Sequence, residues 1–168
     1  MIKNIKIKQY LLFSFLSILL FFATILFLIK GQFVLASGKL VHFPEKGFSY
    51  FLEILYHNLV NYMQYLFFPV APLLIFKDDL VLSFLISQSI ADFGIIQTVR
   101  HLLPHGLIEL PNILLYQFLS LKFFYQWWMQ KKKILFITKY FRDNQKFYLF
   151  SLFLLFIAAL IEGCEWRS

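Results

Sequence analysis

The sequence has little of what a soluble enzyme uses. It contains one cysteine, Cys164, and only 15% of its 168 residues are charged. A single cysteine excludes an internal disulfide and any zinc cluster built on cysteines. The sequence also lacks a glycine-rich phosphate loop, a G-x-S-x-G elbow and a Ser-Lys pattern, so neither ATP hydrolysis nor serine catalysis is supported.

Apolar residues are what the chain has in excess. They make up 60% of it, with 23 phenylalanines, and the mean hydropathy is +0.71. Such a composition is typical of a protein embedded in a membrane. At roughly 20 residues per crossing, the length suits one helical bundle. We therefore predict an all-α, polytopic transmembrane bundle that forms a single domain over residues 1–168.

Long apolar runs place the membrane spans. They predict about five spans, at residues 11–29, 50–76, 80–99, 105–128 and 147–161. A cleaved signal peptide is an alternative for the first run, because VLAS at 34–37 resembles a cleavage site. The apolar core is too long for a signal peptide, which favours an uncleaved anchor.

The basic residues predict the orientation, because short cytoplasmic loops retain lysine and arginine. With the N-terminus inside, ten basic residues fall in cytoplasmic segments and five in outer segments. The densest group lies between residues 129 and 146, where retention and attraction to anionic lipid explain it. We expect a bacterial cell membrane location with the N-terminus inside and the C-terminus outside, and no nucleic-acid binding.

The stretch RHLLPHGLIELP, residues 100–111, is unusually polar for its surroundings. Pro104 does not continue a helix readily, and His105 with Gly106 suits an entry turn. We therefore expect the fourth helix to begin near His105 and to be broken or kinked at HGLIELP, where Pro111 removes a backbone hydrogen bond.

Two histidine–glutamate pairs are spaced one helical turn apart. His105 and Glu109 form one pair, and Glu53 and His57 form the other at a similar predicted depth. Ionisable groups at membrane depth usually pair with one another or line a pathway. We expect a polar cleft in the outer leaflet, formed by Glu53, His57, Asn58, Asn61, Asp92, His101, His105, Gly106, Glu109, Pro111 and Glu162.

This cluster has alternative interpretations. Its members can satisfy one another so that the bundle buries them. They can also form a proton-linked or metal site, with zinc as the candidate ion, although the H-E-x-x-H pattern is missing. The metal ligands would then be His57, His105, Glu53 and Glu109, and Glu109 or Glu53 would be the general base of an intramembrane peptidase. Lipid or peptide binding in the same cleft is the remaining alternative.

Three short motifs resemble those of the stage II sporulation protein M family of bacterial membrane proteins. LPHGLIELP at 103–111 is similar to its L-P-H-G-x-x-E-x-P signature, AALIEG at 158–163 to its final helix, and HNLVNY at 57–62 to its asparagine-bearing early helix. Family members carry several glycines between the asparagine and histidine motifs, whereas this chain has only Gly94 there. The resemblance marks His105, Gly106, Glu109 and Pro111, with Asn58 and Glu162 as secondary positions.

The resemblance also implies functions. The sporulation member is expected to anchor cell-wall-cleaving enzymes, and short members accompany circular bacteriocins in peptide maturation, secretion or immunity. We expect a membrane component of a peptide-handling system that binds an apolar peptide or a partner protein in the cleft. Its expected partners are other membrane subunits, the lipid bilayer and, if ATP hydrolysis drives the process, a separate ABC-type ATPase chain. A scaffold for cell-wall hydrolases and a metal-dependent intramembrane peptidase or cyclase are the alternatives.

Overall fold

The structure is a computed structural model that describes residues 7–31, 47–66, 70–129 and 134–164. Six side chains within these ranges lie outside the described part: His101, Pro104, His105, Ile134, Leu135 and Cys164. The described residues form α1 (Ile7–Lys30), α2 (Phe48–Leu66), α3 (Ala71–Phe93), α4 (Ile95–Met129) and α5 (Ile134–Cys164). The all-α prediction is confirmed for this part of the chain.

Three described segments are long and apolar enough to cross a membrane. They are Ile7–Lys30, Gly106–Met129 and Phe136–Gly163. The helices α2 and α3, of 19 and 23 residues, also have the length of a span, but they carry more polar residues. The chain is thus a helical membrane protein, while five crossings stay a prediction.

Exposed phenylalanines mark the lipid-facing surface. Helix α1 has only one buried residue, Ile25, and it exposes Phe15, Phe22 and Phe27 by 59% or more of their surface. A helix that shows apolar side chains on most of its circumference is stable in hydrocarbon and not in water. The abundance of phenylalanine is explained by this surface.

Helix α4 lies at the centre of the bundle. It contacts each of the other four helices, and it is packed most extensively against α5. Seven consecutive residues of α4, 114–120, are buried. A helix can bury such a run only when neighbours surround it on all sides. Side chains at this level of α4 therefore face several helices at once.

Small residues bring α5 close to α2. Ala158 and Ala159 are buried, and a Cβ atom at Gly163 would lie 2.8 Å from the Cα atom of Phe51. Further along the same pair of helices, Tyr62 of α2 donates a hydrogen bond to a backbone carbonyl of α5. Small side chains allow this close approach of membrane helices. The AALIEG motif is therefore a packing motif of α5.

The boundary between the second and third predicted spans is wrong. Helix α2 ends at Leu66 and α3 begins at Ala71, with a proline in its first turn. Proline starts a helix readily because its missing N–H has no partner at that position. The charged residues Lys77, Asp78 and Asp79, which we expected to end a span, lie inside α3.

The fourth helix also begins earlier than expected. It starts at Ile95, after Gly94, whose φ of +80° suits glycine and ends α3. From there α4 continues to Met129, so its backbone is helical through Pro104 and Pro111 instead of starting at His105. Membrane helices tolerate proline when neighbouring groups satisfy the freed carbonyls. A kink at HGLIELP stays a prediction.

Gly163→Ala should destabilise the bundle, because the added methyl group would clash with Phe51 and push α5 from α2. We expect a loss of about 1–3 kcal/mol in the free energy of unfolding, as is usual for overpacking. The measurement is thermal or denaturant unfolding of the purified protein in micelles.

Gly106→Ala is the matched control, because no atom lies within 4 Å of the position of its added Cβ atom. In a helix this replacement should be neutral or slightly stabilising. Equal unfolding midpoints for the two variants would contradict the proposed contact between α2 and α5.

Candidate functional site

Four helices enclose a cavity of about 470 Å³. Helix α1 contributes Ser17, Ile18 and Phe21 to one wall, and the apolar side chains of α3 and α4 form much of the rest. The polar part of the lining consists of His57, Asn58, Asn61, Gln64, Lys77, Asp78, Asp79, Glu109 and Gln117. The cavity thus combines apolar walls with a concentrated group of polar side chains.

Asp78 is the centre of the polar lining. Tyr65, which is buried, donates a hydrogen bond of 2.8 Å to its Oδ2 atom, and the Nζ atom of Lys77 lies 2.8 Å from its Oδ1 atom. Lys77 also donates to Gln64 over 3.5 Å, and Gln117 donates to the hydroxyl of Tyr65 over 3.3 Å. A buried carboxylate needs partners of this kind, because desolvation of an unpaired charge is costly. This network joins α2, α3 and α4.

Asp79 differs from its neighbour. Its side chain is half-buried and lines the same cavity. Among the residues that the structure describes, it makes no hydrogen bond and no ion pair. Among the described residues, the lining of the cavity contains three carboxylates, those of Asp78, Asp79 and Glu109, and one lysine, Lys77.

A second, smaller cavity of about 30 Å³ adjoins the first on the side of α5. Asn58, Asn61 and Glu109 line both cavities. Asn61 donates to the hydroxyl of Tyr116 over 3.4 Å, which ties α2 to α4 beside this smaller cavity.

Asn112 joins α4 to α5 at the same level. It is buried, lines the smaller cavity and accepts a hydrogen bond of 2.6 Å from Ser151. Such bonds between helices stabilise membrane bundles because lipid supplies no competing partner. Asn112 directly follows the HGLIELP motif, so the motif ends at a contact between two helices.

Four residues of the predicted cleft line the larger cavity: His57, Asn58, Asn61 and Glu109. The structure therefore brings residues of α2 and one residue of the HGLIELP motif, Glu109, to the same cavity. Whether any of these side chains binds a ligand or acts in catalysis stays a prediction.

The remaining predicted residues lie elsewhere. Glu53 is exposed on α2, and Glu162 is half-buried near the end of α5. Asp92 accepts a hydrogen bond from Gln88 on its own helix, and the carbonyl of Pro111 accepts one from Tyr10. None of these four is among the residues that line the two cavities, and the side chains of His101 and His105 lie outside the described residues.

Gly106, which the resemblance marks, has open space beside its Cα atom. No atom lies within 4 Å of the position of an added Cβ atom. Gly163 holds the close contact instead.

The described residues contain no cluster of metal-binding side chains. Among them, no group of three or more histidine, cysteine, aspartate or glutamate side chains is arranged to hold a metal ion. Three of the four expected ligands have described side chains: His57 and Glu109 line the cavity, and Glu53 does not.

Sequence reasoning missed the network around Asp78. The signal was present, because three consecutive charged residues interrupt an apolar run at 70–86, but we interpreted them as the end of a span. Tyr65 and Gln117 carry no sequence signal of their own. Only the packing of α2, α3 and α4 brings them to Asp78.

Tyr65→Phe should destabilise the protein, because it removes the hydroxyl that serves both Asp78 and Gln117. Leaving buried polar groups without a partner costs about 1–3 kcal/mol. Unfolding in micelles measures the effect. Tyr56→Phe is the control on the same helix, since Tyr56 is 71% exposed, and equal stability of the two variants would refute the network.

Comparison with curated proteins and with solved structures finds no match. Comparison with protein families matches residues 65–164 to the family described as Stage II sporulation protein M. The matched region contains all of α3, α4 and α5, and it includes Tyr65 and the HGLIELP and AALIEG motifs. The chain therefore belongs to the stage II sporulation protein M family.

Proposed function

We propose that this protein is the membrane-embedded component of a peptide-handling system, acting in maturation, secretion or immunity of a bacteriocin-type peptide. The observation that supports this proposal most is the cavity of about 470 Å³ between α1, α2, α3 and α4. Cavities that bind ligands combine apolar walls with a few polar groups that fix orientation, as this one does. An apolar peptide segment is a fitting occupant.

The proposal includes a topology. Five spans with the N-terminus inside agree with the excess of basic residues in the predicted cytoplasmic segments. In this orientation α2 runs inward, so the end of the cavity near His57 is the outer one and the end near Gln64 is the inner one. The peptide would be held along this axis.

The partners belong to the same proposal. The sequence has no phosphate-binding loop, so transport driven by ATP would require a separate ABC-type ATPase and other membrane subunits. A gene for a short apolar peptide beside this one would support the bacteriocin role. Genes for cell-wall hydrolases would favour the alternative role, a membrane scaffold for such enzymes.

Filling the cavity tests peptide binding. Leu82 is half-buried in the cavity wall on α3, and Leu82→Trp would occupy part of the space. We expect the affinity for a labelled 18-residue peptide of leucine and alanine to fall about tenfold or more, which is the loss of roughly 1.4 kcal/mol of contacts. The measurement is energy transfer between labelled peptide and labelled protein in phosphatidylcholine nanodiscs.

Phe84→Trp is the matched control, because Phe84 is on the same helix, is 46% exposed and is not part of the cavity wall. It should bind the peptide as the unchanged protein does. Equal affinities for the two tryptophan variants, or no binding by the unchanged protein, would contradict a peptide site in the cavity. A scaffold would retain its partner enzymes in both variants.

A further inference from the structure

The polar side chains that line the larger cavity differ in whether they have hydrogen-bond or ion-pair partners. Asp78 is satisfied, because Lys77 and Tyr65 occupy one carboxylate oxygen each. Lys77 is in turn held by Asp78 and by Gln64. Lys77, the only lysine among the described residues of the lining, is therefore already engaged with its neighbours.

Asp79 is left with no hydrogen bond or ion pair from the described residues. It is half-buried, follows the satisfied Asp78 in the chain and lines the same cavity. A carboxylate in this position is stabilised by an added positive charge, since an opposite charge at close range compensates for lost hydration.

Gln117 supplies a second, independent observation. Its side chain lines the cavity and is 1% exposed, and its Oε1 atom has no hydrogen-bond partner. The orientation of the amide is fixed by its surroundings. The hydroxyl of Tyr65 donates its hydrogen bond to Asp78, so its oxygen can only accept a hydrogen bond from Gln117. The Nε2 atom of Gln117 must therefore face Tyr65, and its Oε1 atom must face away from Tyr65.

Both unsatisfied groups are acceptors. A ligand that satisfies them must donate hydrogen bonds, and the unpaired carboxylate of Asp79 favours a positive charge on it. The apolar walls, which include Phe21, Leu85 and Ile113, suit an aliphatic stem or backbone segment that carries the charge.

We propose that the cavity binds the positively charged, donating group of an apolar peptide, namely a lysine or arginine side chain or a free amino terminus, with Asp79 and Gln117 as its recognition residues. This inference rests on the proposed function and names the chemistry by which the peptide is selected. An unpaired charge and an orphaned acceptor together make the site specific, because a ligand without donors leaves both unsatisfied.

The test compares two 18-residue peptides of leucine and alanine that carry either lysine or norleucine at the centre. Binding is measured by energy transfer to the full-length protein in phosphatidylcholine nanodiscs, whose headgroup has no N–H donor. We expect the lysine peptide to bind about tenfold more tightly or better, as for a partly buried charge pair. Asp79→Asn should abolish that preference, and Gln117→Leu should reduce it.

Asp143→Asn is the matched control, because Asp143 is exposed on α5 and the variant makes the same change of charge away from the cavity. It should retain the preference for lysine. Equal binding of both peptides by the unchanged protein would overturn this inference and leave peptide binding intact, whereas no binding of either peptide would refute the proposed function. Loss of the preference in phosphatidylethanolamine nanodiscs would assign the site to the lipid amine instead.

Discussion

The hydrogen bond from Tyr65 to Asp78 is the interaction on which the arrangement of α2, α3 and α4 depends. Lipid offers no hydrogen bonds, so a polar group that a membrane helix buries is stabilised by a partner in another helix or in its own. Tyr65 connects a charged group of α3 to an amide of α4 through a single hydroxyl. The three helices therefore have one relative position in which these groups are satisfied, and that position creates the cavity beside them.

Two kinds of contact between helices stabilise the bundle. Small residues at the end of α5 set its distance from α2, where Gly163 meets Phe51. Polar pairs fix the level at which helices meet, as Ser151 does with Asn112 between α4 and α5. On α3, two fully buried serines, Ser83 and Ser87, supply the small side chains that let membrane helices pack closely. Close packing is thus kept without glycine in this helix.

The sequence predicts the helical class and four residues that line the cavity, because both depend on composition and spacing. His57 and Glu109 meet at one cavity, and each was recognisable as a polar residue at membrane depth. Helix ends were harder to predict. Helix α5 begins at Ile134, well before the apolar run that starts at residue 147. Its first part contains the exposed residues Lys139 and Arg142, so hydropathy alone does not detect that part of the helix.

The role of Asp78 was not predictable for a related reason. A charged triplet at the end of an apolar run is usually a loop, and only the proline-marked start of α3 places it within a helix. Tyr65 and Gln117, two other members of its network, lie on α2 and α4, and no local pattern encodes the meeting of these three residues. Propensity and periodicity describe single helices, whereas this site is formed by the faces that three of them share.

A spin-label scan along α3 tests most directly whether this helix faces a common cavity. In a background where Cys164 is replaced by serine, single labels at 81, 82 and 85 face the cavity, and labels at 76, 80 and 84 face away from it. We predict that a water-soluble nickel reagent reaches the first group and that oxygen dissolved in the lipid reaches the second. Equal access of both reagents at all six positions, or the opposite pattern, would contradict a polar cavity enclosed by α1, α2, α3 and α4.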